Sequence, residues 1–171
     1  VVALAERLGV SAPLEPYNSL VLGTVGVSPL DMASVYSTFA DDGEHITPVT
    51  VTKVTDSKGT VLYEADTTPD RVLSEEVTQQ VNWALHQTVE SGTATKAKYG
   101  QPAAGKTGTT ENYQDAWFVG YTCEMTAAVW VGYPNGDGQG NPRYMQNVHG
   151  IKVAAHPVQG VAKWVPGLAV A

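Results

Sequence analysis

Apolar and polar positions recur with two different periods along the 171 residues, and the changes of period mark out the elements. Residues 1–8 have helical spacing and are closed by Gly9, which fits the position just past a helix end. Nothing before Val1 could cap that helix, so the pattern predicts further sequence upstream. Ser28-Pro29-Leu30-Asp31 is a strong helix start, with Ser28 as N-cap, Pro29 in the first turn and Asp31 completing a capping box. Leu30, Ala33, Tyr36 and Phe39/Ala40 predict its buried stripe, and Gly43 its stop. Residues 47–54 alternate and are β-branched, Asp56-Ser57-Lys58-Gly59 supplies a turn, and residues 60–63 return as a second strand. A small hairpin excursion over 47–64 is expected.

A second long helix begins at Ser74, with Glu75 and Glu76 suiting its first turn. Its predicted stripe is Val77, Val81, Ala84/Leu85 and Thr88/Val89, and Gly92 ends it. His86 beside that stripe reads as a helix-surface or half-buried residue. Three strands follow, over 103–110, 116–122 and 125–133. The last two are separated by about two residues, which forces them to be antiparallel neighbours. Residues 134–142 are rich in Gly, Asn and Pro and predict a loop, and a weaker pattern from Pro157 to Trp164 predicts a final helix.

Composition narrows the partners. With 43% hydrophobic and 16% charged residues the chain is globular in character, and a net charge of −7 argues against nucleic acid as a partner. Cys123 is alone, so no internal disulfide can form, and its place between two apolar runs reads as a semi-buried or turn thiol. Asp41, Asp42 and Glu44 read as a solvated helix end. Asn135 and Asp137 lack the following Glu of a calcium loop, and His149 and His156 lack ligand spacing. No metal or cofactor is expected.

The chemistry concentrates at residues 100–110. Gly100-Gln101-Pro102-Ala103-Ala104-Gly105-Lys106-Thr107 satisfies the phosphate-loop pattern, which needs a strand before the loop and a helix opening at the lysine. The surrounding pattern supplies the reverse order. The other reading places Lys106, Thr107, Gly108 and Thr109 on a strand. There Lys106 offers a cation, Thr107 and Thr109 offer neutral hydroxyl donors, and Gly108 permits close approach of another backbone. Such a strand suits the carboxylate of an extended peptide that adds along its edge.

Ala103-Ala104-Gly105-Lys106-Thr107-Gly108-Thr109-Thr110 is followed by Asp115-Ala116-Trp117-Phe118-Val119-Gly120-Tyr121-Thr122 and by Ala127-Ala128-Val129-Trp130-Val131-Gly132-Tyr133. With Leu22-Gly23-Thr24, Val27-Ser28-Pro29-Leu30-Asp31-Met32-Ala33 and Ser91-Gly92-Thr93-Ala94 upstream, the chain resembles the C-terminal part of the transpeptidase domain of a class A (bifunctional) penicillin-binding protein. The resemblance runs in the family's order up to about Tyr133. It implies an α+β fold, an antiparallel sheet flanked by helices of the penicillin-binding protein and serine β-lactamase-like kind, with 1–171 forming the C-terminal portion of one transpeptidase domain.

By that resemblance, the activity is D,D-transpeptidation of peptidoglycan. A serine in Ser-x-x-Lys attacks the D-Ala-D-Ala bond of a stem peptide, an amine takes the acyl group, and β-lactams acylate the same serine. Lys106 would bear on the substrate carboxylate, Thr107 and Thr109 hydroxyls would hold it, and the Thr109 N–H would form half of the oxyanion hole. The resemblance implies stem peptide and β-lactam as ligands and the extracytoplasmic face of the bacterial membrane as location, with the anchor outside this chain. None of the eight serines begins Ser-x-x-Lys or Ser-x-Asn, so the nucleophile is expected in an N-terminal part of the domain, on the same or a separate chain. Cys123 stands where the family commonly has proline, and similarity is loose after Tyr133. A serine β-lactamase, a non-catalytic penicillin-recognising domain and a phosphate-loop NTP-binding protein stay open as alternatives.

Overall fold

The computed structural model describes residues 1–150. The helix expected from Pro157 to Trp164, and His156 before it, lie outside those residues. In chain order come helix α1 (Val2–Arg7), helix α2 (Pro29–Ala40), strands β1 (Glu44–His45), β2 (Lys53–Thr55), β3 (Val61–Glu64) and β4 (Asp70–Arg71), helix α3 (Glu75–Glu90), and strands β5 (Ala104–Thr109), β6 (Asp115–Tyr121) and β7 (Thr126–Gly132). The main sheet is antiparallel in the order β5-β6-β7, while β1 pairs with β4 and β2 with β3. Helix α3 lies against β5, and α2 against β6 and β7. This is the expected α+β arrangement.

The capping box of α2 forms as the sequence requires. Ser28 Oγ accepts from the Asp31 amide at 3.0 Å, and the Asp31 carboxylate accepts from the Ser28 amide at 3.5 Å. Ser74 caps α3 through the Val77 amide. The stop of α2 depends on Gly43, whose φ of +94° favours glycine. A Cβ there would lie 2.6 Å from both Leu73 O and Thr78 Oγ1.

Two helix stripes and one strand differ from expectation. On α2 the buried positions are Asp31, Ser34, Val35 and Thr38, whereas Leu30 is exposed. Hydrophobicity misphases this helix because polar side chains hold its buried face: Asp31 and Thr38 are bonded there, while the Ser34 hydroxyl finds no hydrogen-bond partner among the described residues. Ser11 Oγ donates to Asp31, and Thr38 Oγ1 bonds Ser34 O and His45 Nδ1. On α3 the fully buried residues are Thr78 and Val89, while Val77 and Ala84 face solvent. Thr78 satisfies its hydroxyl on Ser74 O, so burial costs it no lost bond. The strand expected over 47–54 is reduced to β2, because only Lys53–Thr55 finds a partner, in β3. The short β1–β4 pair has too few residues to show a period, and the sequence pattern misses it.

The core has two parts. Val89, Ala94, Ala97 and Phe118 pack together with Ala103, Ala127 and Val129, joining α3 to the main sheet. Leu8, Val35 and Val72 pack with Val10, Tyr36, Phe39 and Leu73, joining α1, α2 and the β4 end. Asn82 stitches α3 to α2 and to β6, donating to Phe39 O and accepting from the Tyr121 hydroxyl. Tyr36 meets Tyr121 edge-on, and burial pushes the Tyr36 phenol up to about 12 and that of Tyr121 up as well.

Candidate functional site

Among the described residues strand β5 is an edge of the main sheet, so half of its backbone groups have no strand partner there. It runs beside β6 without a break in register, Gly105 opposite Gly120, Thr107 opposite Phe118 and Thr109 opposite Ala116. This close fit has a local cause. Gly105 and Gly120 lie under the Phe118 ring, where a Cβ on Gly120 would come within 2.7 Å of Phe118 Cε1. The glycine of the phosphate-loop pattern is thus a packing glycine. Lys106 sits mid-strand, with no helix opening at it, and the phosphate-loop alternative fails on that geometry.

In an antiparallel pair, residues alternate between those whose N–H and C=O both face the partner strand and those whose groups both face away. Thr110 N donates to Asp115 O, so even-numbered residues face β6 and residues 103, 105, 107 and 109 face outward. The outward carbonyls are treated unequally. His86 Nδ1 bonds Ala103 O at 2.9 Å, and the Thr88 hydroxyl donates to Gly105 O. Helix α3 therefore closes the first half of the edge. From Thr107 to Thr109 no helix side chain among the described residues takes a backbone group, and this open half holds the motif.

Side chains alternate along the same strand. Thr107 and Thr109 share one side with Phe118, and Lys106 and Gly108 share the other with Trp117. Lys106 is exposed and bends back to the edge, donating from Nζ to Thr107 O at 2.7 Å. The ammonium and the two hydroxyls are thus brought to one stretch of edge even though their side chains leave opposite sides. The Thr107 hydroxyl is 3.0 Å from that of Thr93, and the Thr109 hydroxyl accepts from the Gly150 amide at 3.0 Å. Beyond the strand, Thr110 turns back onto Asp115, whose amide donates to its hydroxyl. Asp115 also accepts from Trp130 Nε1, which ties the turn to β7.

Sequence reasoning placed the four motif residues on a strand. It did not assign parts to Thr88, Thr93 or Gly150, which lie between 14 and 41 residues away along the chain from the β5 residues they touch. Ser91-Gly92-Thr93-Ala94 carries no local period that could show that Thr93 meets Thr107. Cys123 is exposed in the short turn between β6 and β7, as expected. Among the described residues no group of His, Cys, Asp and Glu side chains could hold a metal ion, and no helix is long and apolar enough to cross a membrane.

Comparison with known proteins shows the family and the fold. The family profile described as "Penicillin binding protein transpeptidase domain" matches residues 14–155. Penicillin-binding protein 1A of Aquifex aeolicus is 40% identical over 134 residues, 78% of this chain and 18% of that protein. Penicillin-binding protein 1A of Mycobacterium tuberculosis is 37% identical over 130 residues, 71% of this chain and 16% of that protein. The chain thus spans less than a fifth of the length of these curated relatives. The structure of PonA1 from Mycobacterium tuberculosis in complex with penicillin V superimposes with a TM-score of 0.76 at 28% identity, over 94% of this chain and 49% of that one.

Proposed function

The chain belongs to the penicillin-binding protein transpeptidase family, and from that premise we propose that it supplies the carboxylate-binding strand of a peptidoglycan D,D-transpeptidase. The observation that carries the reading is the half-open edge of β5. Helix α3 occupies the outward groups at Ala103 and Gly105, which leaves the stretch at Thr107–Thr109 for an added peptide strand. A stem peptide laid there meets the Lys106 ammonium and the Thr107 and Thr109 hydroxyls, three donors suited to a terminal carboxylate. Gly108 lets the peptide backbone come close.

In this reading the Thr109 N–H faces outward and forms half of an oxyanion hole. Such a donor lowers an acyl-transfer barrier by about 3 kcal/mol, because it is already aimed where charge develops. The nucleophilic serine lies outside these 171 residues, in an N-terminal portion of the same domain. It attacks the carbonyl, the D-Ala amine leaves, and an amine from a second stem peptide takes the acyl group. A β-lactam enters the same way and stops at the acyl-enzyme. The PonA1 complex with penicillin V supports that ligand class. The site faces the extracytoplasmic side of a bacterial membrane, held there by a segment outside this chain.

The test is covalent labelling of the full-length protein with a fluorescent penicillin, followed by peptide mapping of the label. The expected result is one penicilloyl group on a serine outside residues 1–171. A label on any serine within the chain, or no label at all, contradicts the reading.

A further inference from the structure

A threonine hydroxyl has one hydrogen to give and two lone pairs to receive, so its role toward a ligand depends on what else holds it. Thr107 meets another hydroxyl, that of Thr93, and either oxygen can be the donor there. Thr109 differs. Its partner is the Gly150 amide, which can only donate, at 3.0 Å. With a lone pair committed to that N–H, the Thr109 hydrogen is turned away from residue 150 and is free for an acceptor at the strand edge.

The segment that brings Gly150 there is anchored independently. Met145 N donates to Tyr113 O at 3.0 Å, and His149 packs edge-on against the Tyr113 ring, with centroids 5.0 Å apart. Residue 150 is buried and has no room for a side chain. A Cβ would lie 2.4 Å from Trp117 O and 2.5 Å from Gly108 O, backbone atoms of two paired strands that cannot step aside. The sequence thus places the one residue without a Cβ where its amide can reach Thr109.

We propose that Gly150 is a positioning residue for the carboxylate site: its amide sets the Thr109 hydroxyl as a hydrogen-bond donor to the substrate carboxylate. The inference rests on the transpeptidase reading above. It also gives the site a preference for charge. A carboxylate and an ester both accept from such a donor, but the bond to the anion is charge-assisted and about twice as strong, so losing the fixed donor costs the free acid more.

The test measures acylation of the full-length protein by a penicillin and by its methyl ester, for Gly150→Ala, Thr109→Val and the double variant. Gly150→Ala is expected to slow acylation by the free acid about tenfold, the scale of one hydrogen bond to a charged group. Acylation by the ester should stay within about twofold, on the scale of a weakened neutral hydrogen bond. In the Thr109→Val background, Gly150→Ala should change nothing further, because both act through one hydroxyl. Replacing the Gly150 amide by an ester, through incorporation of glycolic acid, removes the N–H without adding a Cβ and should reproduce the free-acid loss even if Gly150→Ala folds poorly. Independent, multiplying effects of the two substitutions, or equal losses with acid and ester, would overturn the inference alone. An unaltered free-acid rate in Thr109→Val would overturn the role of Thr109 on which it rests.

Discussion

The main sheet and the β2–β3 hairpin are both antiparallel, yet they carry opposite weights in the molecule. In β6, Ala116, Phe118, Val119 and Tyr121 are all buried. In the hairpin every strand residue is exposed, and Leu62 keeps 66% of its surface in water. The near-continuous apolar run of β6 is covered on the sheet, whereas the alternating stretch that leads into β2 forms a strand with nothing packed on it among the described residues. The sheet gains its stability from α3, α2 and the segment at residues 143–150. The hairpin rests on its own ladder, on the Lys53–Glu64 ion pair at 3.1 Å, and on Asp56, whose Oδ1 accepts from the Lys58 and Thr60 amides. Those amide bonds, from Thr60 above all, hold the Asp56 carboxyl below its ordinary range.

Truncating a side chain at the centre of each region should break the comparison if it is wrong. Phe118→Ala removes the ring that fills the space between Gly105, Gly120 and Val89, and should cost about 3–5 kcal/mol. Chemical denaturation of the full-length protein measures it. A loss under about 1 kcal/mol would mean that the site strand does not depend on this core, since buried aromatic truncations cost several times that. At the other end, Lys53→Ala in the hairpin should change stability by less than about 1 kcal/mol, because the ion pair it removes is exposed. It should also leave penicillin acylation at the parent rate. A measurable loss of acylation would show that the hairpin is coupled to the site.

The parts legible in the sequence are those where the physical cause is local. The Ser28–Asp31 capping box, the Asp56–Gly59 turn, and the three strands on either side of short connections all formed as their residue patterns require. The motif strand was legible for the same reason. What escaped was burial decided by distant partners. Thr38 and Asp31 are buried because His45 and Ser11 meet them, and Leu30 is left outside although it is the more hydrophobic residue. The supports of the site were hidden in the same way. Thr93 and Gly150 reach Thr107 and Thr109 only after the chain has folded back, and neither residue type announces such a role in its own neighbourhood.

The proposed role of Lys106 is to bind the substrate carboxylate at the open half of β5. Lys106 is exposed and makes a single bond to its own strand, so its removal should leave the fold intact. The direct measurement is the acylation rate of the full-length Lys106→Ala variant by a fluorescent penicillin, beside its melting temperature. The account predicts acylation slowed about 10- to 100-fold, the scale of a hydrogen bond to a charged group, at an unchanged melting temperature. Acylation at the parent rate would contradict it and remove Lys106 from the site.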